Sequence, residues 1–219
     1  WSAMDVVLYP SREEAETVKR IAPNVNASFV SPYLYEGLDA YSSRQPVDNQ
    51  KIIFVAGFGH PPNTDAAVWF VNDIFPIIER KNPGVELFLV GSNPTDKVKS
   101  LACHNITVTG YVTDAELIEY YLSARVAVVP LRFGAGVKNK VIEAMAYGVP
   151  MVTTEIGAQG LDGADSFLPI TSDITTFAEY VEMLIRNNKE WMTYSTAGNR
   201  YVKEQYSIEA LRATLLKSI

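Results

Sequence analysis

VAVVPLRFGAGVKNKVIEAMAYGVPMVTTEIGAQGL, residues 126–161, is the stretch around which this chain is arranged. Val126 to Pro130 is a short apolar run of the kind shown by a parallel strand covered on both faces, and Pro150 to Thr154 is a second. Between them lie a glycine-bracketed turn and one short helix. Gly134 and Gly136 remove side chains where the loop turns, and Lys138 and Lys140 bring positive charge there. The helix running on to Tyr147 points its free N–H groups the same way, so the turn forms a cradle for an anion. Gly148 fits the position just past the helix end, and Pro150 blocks its continuation.

Working outward, Lys51 to Gly57 reads as a strand that ends in G-F-G-H-P-P-N before a helix from about Asn63 to Lys81. Asn63 or Thr64 is expected to cap that helix. Pro76 is expected to kink it or split it in two, because proline lacks an N–H and clashes one turn back. Val85 to Val90 follows as a strand, then a short helix near Thr95 to Leu101, a strand at Ile106 to Thr109 and a helix from Asp114 to Ser123. Beyond the central stretch, the run Ser166 to Ile170 gives way to helix at Asp173 to Arg186 and again toward Ile219. At the other end, Asp5 to Pro10 and Ala27 to Val30 read as strands around a helix that Ser11 and Glu14 open with a capping box. Tyr33 to Gln50 loses periodicity and reads as a linker or crossover. This alternation predicts an α/β, Rossmann-like parallel sheet with helices on both faces and ligands at the carboxyl ends of its strands. The loops at 57–63, 110–113, 131–139 and 154–161 are then the ones that matter.

Composition narrows the function. At 219 residues and 47% hydrophobic, the chain has ample material for a core. The single Cys103 excludes a disulfide framework and a cysteine-rich metal site, and His60 and His104 are too few for a zinc constellation. A formal charge of −6 with scattered Lys and Arg argues against a nucleic-acid groove. No run reaches transmembrane length, and a cytoplasmic location is expected. A dinucleotide fingerprint also fails: G-F-G is followed by Pro62 where a third glycine belongs, and the strand ending at Gly91 carries no ribose-binding acid.

The ordered set of a strand ending in proline, a G-x-G turn, basic residues, E-A-M-A-x-G-x-P and T-x-x-G-x-x-G-L resembles the nucleotide-binding half of GT-B glycosyltransferases, within retaining glycosyltransferase family 4. The resemblance implies the C-terminal half of a GT-B fold, residues 46–219, preceded by a remnant of the acceptor domain and hinge at residues 1–45. The opening at Trp1 rather than Met fits a fragment or processed chain. In the family, a glutamate at the place of Glu143 holds the ribose hydroxyls and the amides of the glycine turn face diphosphate and sugar. A second glutamate eight residues earlier is replaced here by Ala135, so the chain is closer to a subset with G-x-G followed by basic residues.

The donor-binding set implied is Gly57, Gly59, Tyr111, Arg132, Gly134, Gly136, Val137, Lys138, Lys140, Glu143, Thr154 and Gly157. Several of these carry a plainer reading as well. Glu143 suits a helix dipole from spacing alone, for roughly 0.3–1 kcal/mol. Lys138, Lys140 and Arg132 are either solvated charges or phosphate partners. Tyr111 either stacks on a base or packs in the core, with core packing the default. Thr154 and Gly157 either close the diphosphate pocket or shape a turn, and Trp69, Phe70 and Phe75 sit at helical spacing as core. No catalytic residue can be named.

The expected reaction is transfer of a sugar, with retention, from a nucleotide-diphosphate sugar to a glycan, lipid or other hydroxyl acceptor. No metal and no cofactor are implied, and the partners are the donor, the acceptor and the missing N-terminal domain, through which the protein would reach the inner membrane surface. The competing readings are a fragment that binds a nucleotide sugar without turnover, and a GT-B-like sugar-nucleotide epimerase.

Overall fold

The computed structural model describes residues 5–9, 12–31 and 33–218. The Ser11 capping box lies outside those residues. Strand β1 (Val7–Tyr9), helix α1 (Arg12–Ile21) and strand β2 (Ala27–Phe29) come first, and β1 pairs β2 in parallel as a two-stranded sheet. A segment with one 3-10 turn at Leu38–Tyr41 then leads into the main sheet. Its strands are β3 (Lys51–Val55), β4 (Glu86–Val90), β5 (Ile106–Gly110), β6 (Val126–Val129) and β7 (Met151–Thr153). All neighbours are parallel, in the order β5-β4-β3-β6-β7.

Every residue of β6 and β7 is buried, as are the three central residues of β3. That follows from sequences without polar alternation, which must be covered on both faces. The cover comes from α2 (Pro61–Trp69), α3 (Phe75–Lys81), α4 (Asp96–Lys99), α5 (Asp114–Ser123), α6 (Asn139–Ala146) and α7 (Ile174–Arg186), with α8 (Asn188–Tyr206) packed on α6 and α7 and α9 (Ile208–Ser218) on α8. Trp69 and Phe70 meet Phe177 of α7 edge-on, with ring centroids 6.4 and 5.9 Å apart, so these aromatics are core. Trp191 of α8 is wholly buried, donates its indole N–H to Arg125 O at 2.7 Å and has the guanidinium groups of Arg44 and Arg125 each 5.8 Å from its ring centre.

The helix expected to break at Pro76 does so through a wide turn. Phe70–Ile74 forms a π-helical segment between α2 and α3, and Pro76 sits in the first turn of α3, where its missing N–H costs least. The cap expected at Asn63 or Thr64 is not there. His60 occupies that position with Pro61 and Pro62 behind it, and the two polar side chains turn back to the preceding loop. Ser166 to Ile170 joins the sheet only by a single bridge from Ile170 to Thr153. The end of α6 is a Schellman motif: Gly148 N–H bonds Met145 O at 3.0 Å and Val149 N–H bonds Ala144 O at 2.9 Å, with Gly148 at φ 65.

Candidate functional site

β3 lies in the middle of the sheet, with β4 and β5 on one side and β6 and β7 on the other. The loops leaving β3 and β6 therefore diverge, and the crevice between them is where open α/β sheets place ligands.

The loop after β3 is braced from α2. Asn63 donates from Nδ2 to Gly57 O at 2.9 Å and Thr64 donates to Phe58 O at 2.6 Å, while Gly57 and Gly59 keep their backbone exposed. Across the crevice, Leu131 is buried and residues 132–136 are exposed. Gly136 is left-handed at φ 72, a conformation that glycine adopts without strain, and its removal of a side chain leaves open space above the turn. The chain then enters α6, with Lys138 at the N-cap position and no side-chain cap. Val141 and Ile142 bond Lys138 O, and the N–H groups ahead of them face out of the helix.

The structure separates the three cations. Arg132 makes a two-pronged pair with Asp65 of α2, at 2.8 and 2.5 Å, and lies 5.5 Å over the Trp69 ring. The hydrogen bond to Asp65 raises its pKa, so its charge is already neutralised locally. Lys138 turns back to Gly136 O and approaches Gln159 Oε1 at 3.5 Å; partial burial lowers its pKa. Lys140 reaches across the crevice instead. Its ammonium donates to Asn63 Oδ1 at 2.5 Å and sits 5.5 Å over the Phe54 ring of β3. Burial, with a smaller contribution from Lys138, brings its pKa down to about 8.

Glu143, one turn into α6, accepts a hydrogen bond from the Tyr121 hydroxyl at 3.0 Å. Burial raises its pKa, the bond from Tyr121 opposes that, and Tyr121 itself, fully buried, is pushed well up. Tyr147 stacks on Tyr121 at 5.3 Å, and Tyr35 donates its hydroxyl to Asn139 Oδ1 at 2.6 Å at the mouth of α6.

Thr154 and Gly157 fasten the neighbouring loop. Thr154, wholly buried, donates to Leu131 O and accepts from Gly157 N–H at 3.1 Å. A Cβ on Gly157 would lie 1.9 Å from Thr153 Oγ1, so the close approach itself requires glycine. Val137 packs against the core from the far side of that loop, beside Gly160. Tyr111, expected in the core by default, is instead 78% exposed just past β5, with its ring available to a ligand. Sequence reasoning missed Tyr35, Tyr121, Asp65 and the second role of Asn63. The first lies in a segment without periodicity and meets its partner 104 residues away, so no local signal announced it.

Two concavities of about 470 and 570 Å³ lie elsewhere, one beside α1 and α9 and one at the amino ends of the strands. Neither touches the crevice, which is an open face. Among the described residues no group of three or more His, Cys, Asp or Glu is arranged to hold a metal ion, and no helix is long and apolar enough to cross a membrane.

A doubly wound parallel domain with glycine-bearing, cationic loops at its switch point is the class of protein this fold defines. Residues 49–187 match the family described as glycosyl transferases group 1, and the chain belongs to that family. It is 23% identical over 225 residues to an uncharacterized 44.6 kDa protein in the cps region of Klebsiella pneumoniae, covering 99% of this chain and 56% of that protein. The chain thus spans about half the length of the curated relative it matches. Among solved structures, Staphylococcus aureus TarM with fondaparinux, alpha-GlcNAc-glycerol and UDP matches with a TM-score of 0.73 at 14% identity, over 99% of this chain and 44% of that one. Anabaena HepE in complex with UDP and glucose matches with a TM-score of 0.72 at 12% identity, over 98% and 62%. Sucrose-phosphate synthase from Thermosynechococcus elongatus matches with a TM-score of 0.69 at 19% identity, over 97% and 57%.

Proposed function

We propose that this chain is the donor-binding half of a glycosyltransferase that moves a sugar from a nucleotide-diphosphate sugar to a hydroxyl acceptor, with retention. One observation carries the reading. At the switch point, the glycine turn, the open first turn of α6 and the Lys140 side chain face one crevice, with Lys138 folded back onto Gly136 O beside it, and Glu143 stands one turn further along. The diphosphate then lies against amides and cations while the ribose reaches the carboxylate. Tyr111 stands exposed at the carboxyl end of the sheet, where a base can stack. The UDP-containing complexes of TarM and HepE support a nucleotide sugar as partner and make UDP the first probe.

In the reaction, the bond from the sugar's anomeric carbon to the distal phosphate oxygen breaks and the diphosphate leaves with the electron pair. Stabilising that developing charge falls to the dipole of α6 and to the cations beside it. The glycan or lipid acceptor and its activating group belong to a partner domain on the other side of the crevice, and with it any contact with a membrane. The chain spans only part of its relatives, so turnover is expected of a protein carrying both halves and donor binding of this half.

Ribose discrimination tests the reading. For the nucleoside diphosphate bound most tightly, Glu143→Ala is expected to weaken binding about tenfold and to erase the preference for ribose over 2′-deoxyribose. A correctly folded variant that keeps both would end the ribose role.

A further inference from the structure

The loop after β3 runs Gly57 to Thr64 with no lysine or arginine, yet an ammonium stands over it. That charge comes from α6, on the other side of the switch point. Lys140 spans the crevice, and its partner Asn63 is itself buried and tied through Nδ2 to Gly57 O, so one amide holds both the glycine loop and the lysine. The other two cations are differently engaged. Arg132 is matched by Asp65, and Lys138 folds onto the carbonyl of its own turn. Among the described residues Lys140 faces no carboxylate: α2 carries one charged residue, Asp65, held by Arg132; β3 presents the Phe54 ring there; and its next acidic neighbour on α6, Glu143, is bonded by Tyr121. Lysine buried against an amide and a ring is expensive to desolvate and has no structural need to be charged.

We infer that Lys140 is the cation that meets the donor's diphosphate on behalf of both glycine loops, and that Asn63 is a positioning residue that aims it. The inference rests on the donor-binding reading above and adds to it which charge is used and what orients it. Binding of an anion would favour the protonated amine. In the free protein near pH 8.5 the amine is largely neutral, because its pKa lies at about 8, so binding there takes up a proton.

The test is calorimetric titration of the chain with UDP, GDP, ADP and TDP, carried forward with the tightest ligand at pH 8.5 in two buffers of different ionisation heat. Wild type is expected to take up on the order of half a proton or more. Lys140→Met should lose about tenfold or more in affinity and take up none, and Arg132→Gln should lose less than Lys140→Met. Asn63→Ala should weaken binding several-fold, about threefold or more, while the double variant Lys140→Met/Asn63→Ala should bind no worse than Lys140→Met alone. Four results would each overturn the inference: affinity within about twofold of wild type in Lys140→Met, unchanged proton uptake in that variant, additive losses in the double variant, or a larger loss from Arg132→Gln. Absence of binding by wild type to any of the four would instead overturn the donor-binding reading itself.

Discussion

A lysine whose amine is lowered to about 8 by burial leaves a mark on stability as well as on binding. Between its folded value of about 8 and its usual 10.5, the unfolded chain holds the proton and the folded chain does not. The contribution of this group to stability therefore rises with pH across that window, and below it the fold carries a desolvated charge. Lys140→Met removes that charge. Its melting temperature relative to wild type is expected to be highest below pH 8 and to fall back as pH approaches 10, in thermal melts recorded at matched ionic strength. A difference that is flat across the window would mean that Lys140 titrates like a solvated lysine. Glu143 is displaced the other way, by burial, so it is a carboxylate that gives up part of its solvation without a cation beside it.

Among the elements, α6 had both of its ends written in the sequence as backbone signals. Gly134 and Gly136 announced its entrance, and Gly148 with Pro150 its exit, through backbone conformations that few other residues adopt. Helix α5 was legible to the residue, Asp114 to Ser123, and the structure adds the capping box that Thr113 and Glu116 close at its start. What could not be read were contacts chosen by tertiary packing. Asn63 suited a helix cap by type, but two prolines supplied the first turn and freed its side chain to hold the loop and the lysine. Tyr111 was open to two readings, with core packing the default for an aromatic, and its exposure depends on where β5 ends at the sheet's edge. The site's amino-acid types were thus visible while their partners were not. Gly157 shows the same limit, since a turn glycine and one fixed by contact look alike. Gly157→Ala places a Cβ against Thr153 Oγ1 and is expected to cost about 1–3 kcal/mol in chemical denaturation, whereas Gly57→Ala, whose Cβ would meet only Ser92 Oγ at 3.8 Å and whose backbone is not left-handed, is expected to cost less. Equal losses would contradict the packing argument.

At the scale of the whole molecule, the segment between β2 and β3 is fastened to both ends of the candidate site. Tyr35 bonds Asn139 at the start of α6, and Arg44 donates to the carbonyls of Tyr147, Leu122 and Ala124 at 3.1, 2.6 and 3.2 Å, beyond its end. Burial lowers the Arg44 pKa to about 10, which still leaves it charged at neutral pH. Arg44→Met would orphan those carbonyls and remove the guanidinium beside the Trp191 ring. A loss of roughly 2–4 kcal/mol is expected in equilibrium unfolding, and a loss within about 0.5 kcal/mol would show that the segment is merely tethered.

The central claim is that this chain, by itself, presents a formed site for a nucleotide diphosphate. The most direct measurement is calorimetric titration at neutral pH with UDP, GDP, ADP and TDP, with and without magnesium, alongside a circular dichroism spectrum that establishes the fold. The account predicts saturable binding of one diphosphate with an affinity that magnesium leaves unchanged. A folded chain that binds none of the four, or binds only when magnesium is present, would contradict it.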